Sequence, residues 1–229
     1  MSERSTLTRA NLKTPRAAAI AGILFSVLLL GVLWLLRISV PDDPREPGAW
    51  LNSASNTVRL AINLVPFAGI AFLWFIGVLR DRLGASEDKF FATVFFGSGL
   101  LFLGMLFAAA AVAGALIISF ETAPAQVIES PTFHFARAAA YSMMNVYTIK
   151  MAGVFMVTTS TIAIYTGFAP RWIAILGYFL ALLLLCGSYY LSWSFVVFPF
   201  WVLVMSIYIF FNDAGAKSAP ERSAVSDAS

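Results

Sequence analysis

The chain has 229 residues, of which 60% are hydrophobic, 15% aromatic and only 12% charged, with a formal net charge of +3. Soluble domains carry about a quarter of their residues as charges, so this composition excludes a water-soluble core, a disordered regulator and a nucleic-acid reader. It implies an integral membrane protein. The basic residues are scattered and read as topology markers, so no nucleic-acid partner is expected.

In chain order, residues 1–16 form a basic tail and six apolar stretches follow, at about 17–38, 58–79, 90–120, 138–165, 172–189 and 194–211. Each approaches the roughly 20 residues that cross about 30 Å of hydrocarbon. The runs are unbroken and lack period-two alternation, which excludes a membrane β-barrel. The expected fold is therefore an all-α bundle of six transmembrane helices. The first stretch exceeds the apolar core of a secretion signal and no small-x-small cleavage site follows it, so it is read as a retained helix.

Between the first two spans, Pro41, Pro44 and Pro47 break any apolar period and predict an irregular cap. Before the fourth span, Ser130 followed by Pro131 is a helix-start pair, so that helix is expected to project beyond the membrane. The last two spans are joined by a short turn, Tyr190 to Trp193, and residues 212–229, rich in Ala and Ser, predict a disordered tail.

Charges set the orientation. Arg4, Arg9, Lys13, Arg16, Arg80, Arg82, Lys89, Arg171, Lys217 and Arg222 fall on the side of the termini, while Arg37, Arg45, Arg59 and Arg137 fall on the other. Ten against four is a positive-inside bias that predicts both termini in the cytoplasm. Tyr165 and Trp172 at the inner turn, with Tyr189, Tyr190 and Trp193 at an outer one, are expected interfacial anchors.

In lipid, small residues that permit close backbone approach do the helix packing. The third span carries Gly97, Gly104, Ala108, Ala111 and Ala115 at helical steps, and these predict an intramolecular seam, with a homodimer seam as the alternative. Ala18, Gly22 and Ser26 predict a second packing face on the first span.

One cation breaks the apolar rule. Lys150 lies about twelve residues into the fourth span, where an ionisable group is costly and marks a candidate site. Counted from a span beginning at Ala138 its backbone sits about 18 Å deep, and its amine, leaning toward the helix N-terminus, reaches a layer about 12 Å deep. Tyr147 shares that face. On the second span Arg59, Asn63 and Pro66 lie on one face, with Asn63 and Pro66 at about 9 and 13 Å. Pro66 lacks an N–H and frees the Ile62 carbonyl. The expectation is an outward-opening polar pocket formed by Lys150, Tyr147, Asn63, Arg59 and Pro66 between the second and fourth spans, with a lipid headgroup or a carboxylate as ligand. The structural alternative is that these groups satisfy one another and fix two helices in register.

Other motifs carry less. Thr158, Thr159, Ser160 and Thr161 wrap around the helix and predict back-bonding to the preceding turn. Phe195, Phe198, Phe200 and Trp201 predict packing or lipid contact, with a kink at Pro199. Cys186 is a lone thiol in an apolar run. Gly97, Ser98 and Gly99 invite comparison with rhomboid proteases, but Phe96 stands where their nucleophile motif has Gly, and the single histidine, His134, lies before the fourth span. Zinc, magnesium, retinal, phosphate-loop and voltage-sensor patterns are absent as well, so no metal and no cofactor are expected. Pro170 to Trp172 before one apolar helix and Pro199 to Trp201 within the next resemble small bacterial membrane proteins, which places the expected location in a bacterial plasma membrane.

The reading is a non-enzymatic multi-pass protein, either an accessory or regulatory subunit or a binder of a lipid or anionic small molecule at Lys150. The alternative is a small secondary transporter or channel-forming subunit with Asn63, Pro66, Tyr147 and Lys150 along its route. Expected partners are membrane lipids, a homo-oligomer or a membrane complex.

Overall fold

A computed structural model describes residues 14–41, 43, 46, 48–83, 89–128, 130–187 and 194–226. All regular structure among them is helical. The helices are α1 (Thr14–Ser39), α2 (Leu51–Leu83), α3 (Lys89–Thr122), α4 (Pro124–Ile128), α5 (Pro131–Ser142), α6 (Ile149–Thr166), α7 (Arg171–Leu182) and α8 (Ser194–Ser226). A 3₁₀ turn, Gly48–Trp50, precedes α2, and two wide π turns, Met143–Thr148 and Leu183–Gly187, follow α5 and α7. Helices dominate because a backbone in hydrocarbon must satisfy its own N–H and C=O groups.

Five helical stretches are long and apolar enough to cross a membrane: 17–39, 48–80, 90–122, 131–166 and 194–212. The sixth, Arg171–Gly187, is shorter. At 1.5 Å per residue its 17 residues reach about 26 Å, slightly less than a hydrocarbon layer. The helical backbone of α8 continues to Ser226, through a tail whose composition predicts an irregular segment. Alanine, the strongest helix former, recurs there. Ser130 caps α5 as its position suggests, its hydroxyl accepting from the Phe133 N–H at 3.1 Å with Pro131 in the first turn.

α1 packs on α2 and α8, α2 on α3, α3 on α6, and α6 on α7, which with α6 touches α8. Phe25 meets Phe198, while Gly22, further toward the N-terminus, meets Ser206, further toward the C-terminus. α1 and α8 are thus antiparallel, and the start of the first and the end of the last lie at one end of the bundle.

The centre is aromatic. Phe25, Phe72, Phe102, Phe155 and Phe198, one from each of five helices, are buried and meet with ring centroids 4.5–6.2 Å apart, several edge-on. Edge-to-face pairs contribute about 0.5–1.5 kcal/mol each beyond area burial. A second, smaller core formed by Leu51, Val58, Ile117, Phe120 and Phe133 closes the end away from the termini, here called the cap end.

The predicted seam on α3 is not a packed one. Ala111 and Ala115 are exposed, and Gly97 and Gly104 have open space where a Cβ would stand. The glycines that admit close approach are elsewhere, and large neighbours identify them. A Cβ on Gly22 would run into Ser206 and Phe75, one on Gly69 into Phe107, one on Gly99 into Ile76 and Phe155, and one on Gly177 into Ser160 and Trp201. Ala18, Gly22 and Ser26 on α1 are all buried, so that face packs as its spacing implies. Ser160 and Ser206 each set a buried hydroxyl without a hydrogen-bond partner against a glycine, a geometry in which Cα–H groups serve as weak donors.

Gly22→Ala and Gly177→Ala should each cost about 1–3 kcal/mol through overpacking and lower the thermal unfolding midpoint in detergent, whereas Gly104→Ala should leave it unchanged. Equal losses at Gly22 and Gly104 would contradict this assignment of the packing faces.

Candidate functional site

Lys150 stands in the first turn of α6, directly after the π turn Met143–Thr148, and its side chain crosses to α7. Its ammonium donates to the Leu184 carbonyl at 3.2 Å and to the Leu185 carbonyl. Both acceptors lie in the π turn that ends the α7 segment. In a medium without water such groups need donors from the protein. The cation is therefore held by main-chain carbonyls of the neighbouring helical segment.

This places the amine differently from the sequence expectation. The helix containing Lys150 runs from Pro131 to Thr166, 36 residues or about 54 Å, so it is longer than an apolar layer and projects beyond it. Counting from the other end, Lys150 stands about 24 Å above Thr166 and Leu184 about 20 Å above Arg171, so the two heights agree. Both exceed half of a 30 Å layer.

The expected pocket does not form. Asn63 is exposed, and its amide donates to the Arg59 carbonyl one turn back at 3.0 Å. The Arg59 side chain pairs with Glu121 on α3 across the surface. Pro66 is exposed within an uninterrupted α2. Tyr147 is exposed on the π turn. Lys150 faces α7 while Asn63, Arg59 and Pro66 belong to the α2–α3 side, so α3 and α6, not α2 and α6, form the adjoining pair. Arg80 at the opposite end of α2 lies over the Phe96 ring at 5.1 Å, and α2 and α3 are thus tied at both ends.

A buried cation escaped the sequence reading, which used Arg137 only as a topology marker. Arg137 on α5 is 6% exposed. Its guanidinium donates to the carbonyls of Asp43 at 2.8 Å, Pro41 at 3.2 Å and Glu46, and lies 5.6 Å from the Trp50 ring. The first connecting segment is thereby clamped onto α5, with Gly48 against the Phe133 ring. A signal for this exists in the sequence: a segment with three prolines has more carbonyl acceptors than N–H donors, and a five-donor guanidinium meets that surplus.

On the cap side of Phe102 and Phe198 lies one apolar cavity of about 20 Å³, bordered by Leu33, Leu106, Met144, Thr148 and Leu184. That is room for a single water. Thr148 is spoken for, its hydroxyl donating to the Met143 carbonyl at 2.8 Å. The hydroxyls of Thr158, Thr159 and Thr161 also return to their own helix, and Thr161 joins the Tyr178 hydroxyl of α7 at 2.6 Å. Trp201 is fully buried and its indole N–H donates to the Ile173 carbonyl at 3.3 Å, while Phe195 is half-buried and Phe200 exposed. His134 and Cys186 are exposed, and Tyr165 and Trp172 are exposed beside the α6–α7 turn. Tyr189, Tyr190, Trp193 and Arg45 fall outside the described residues. Among the described residues no group of three His, Cys, Asp or Glu side chains assembles to hold a metal.

The chain matches no family model, no curated protein and no solved structure.

Lys150→Met should lower the thermal midpoint by the equivalent of about 1–3 kcal/mol, the cost of leaving buried acceptors unmet, and Lys150→Arg should retain part of the loss. An unchanged midpoint for Lys150→Met would refute the fastening role. Arg137→Met should speed amide hydrogen exchange across the peptide 43–51, and Arg137→Lys should fail to restore it because an ammonium lacks the planar fork. Exchange equal to wild type in both variants would contradict the clamp.

Proposed function

We propose that this chain is a six-span membrane protein with both termini in the cytoplasm, serving as a non-catalytic subunit of a membrane assembly and not as a conduit. The observation that carries this reading is the aromatic centre. Phe25, Phe72, Phe102, Phe155 and Phe198 occupy the place where a route through the bundle would run, and their mutual spacing of 4.5–6.2 Å leaves no passage between them.

The fate of the cations supports the same reading. Lys150 and Arg137 are both engaged by main-chain carbonyls, so both cations act as fasteners in the fold. Arg59 is engaged by Glu121. Six crossings are favoured by the antiparallel order of α6, α7 and α8, with Ser160 against Gly177 and Gly153 against Leu185 and with Gly177 against Trp201. The orientation rests on the ten-to-four distribution of Lys and Arg in the sequence. The binding of a lipid headgroup or a carboxylate at Lys150 is a second reading, favoured by the height of the ammonium above the middle of the apolar layer.

Two measurements test the proposal. In proteoliposomes the wild-type chain should pass protons, chloride and acetate no faster than empty vesicles do; a flux that disappears in Lys150→Met would instead establish transport. Fluorescent-protein fusions at either terminus should both be active in the cytoplasm, and alkaline phosphatase inserted after Asp43 should be active outside. A C-terminal fusion active only outside would leave five crossings and overturn the topology.

A further inference from the structure

We draw no further inference here: the strongest candidate, the stripe of Gly97, Gly104, Ala108, Ala111 and Ala115 on the open face of α3, carries nothing because no feature of the structure shows what covers it.

Discussion

The constraint on which the structure turns is that a main-chain carbonyl removed from water must find a donor within the protein. Continuous helix meets it for most of the chain. Two places depart from the regular α-helix, the π turn Leu183–Gly187 and the proline-rich segment before α2. At each of these places one long cationic side chain from a neighbouring helix supplies the donors, Lys150 in the first and Arg137 in the second. The choice of residue fits the acceptors: two carbonyls in adjacent positions suit a compact ammonium, and three spread along a loop suit the guanidinium fork. Main-chain oxygens accept from both cations, so neither bond needs a carboxylate acceptor.

The remaining stabilisation is a matter of fit. Between helices in lipid, burial of apolar surface brings little gain over contact with acyl chains, so close packing and dispersion decide the arrangement. Large rings fill the centre, and glycines at Gly22, Gly69, Gly99 and Gly177 receive bulky or hydroxyl-bearing neighbours. These are complementary devices: the rings keep five helices at a common distance, while the buried glycines let particular pairs approach more closely. α7 contributes no ring to the centre and is held instead by Ser160, Trp201, the Thr161–Tyr178 contact and Lys150.

Much of the fold was legible because composition and run length are properties of single segments. The all-helical class, the long apolar stretches, the Ser130 cap and the buried face of Ala18, Gly22 and Ser26 each follow from residues close together in sequence. What was not legible depended on which helices adjoin. Periodicity placed Gly97, Gly104 and Ala111 correctly on one face, but whether a face is packed or open is decided by partners, and α3 turns Gly99 inward instead. Lys150 stood out as an anomaly of charge, yet its acceptors are backbone atoms of Leu184 and Leu185, which leave no mark in a pattern of side chains. Asn63 and Pro66 matched its estimated depth, but they stand on α2 while Lys150 turns toward α7, so a shared depth did not bring them together. The cavity beside that layer is apolar, with room for one water at most, so depth agreement alone did not make a polar site.

The most direct test of the account is a solid-state NMR measurement of through-space dipolar coupling in lipid bilayers, with ¹⁵N at the Lys150 ammonium and ¹³C at the Leu184 and Leu185 carbonyls. The account predicts strong coupling from the ammonium nitrogen to both carbonyl carbons. Absence of that coupling, with contacts from Lys150 to lipid headgroups or to Asn63 in its place, would contradict it.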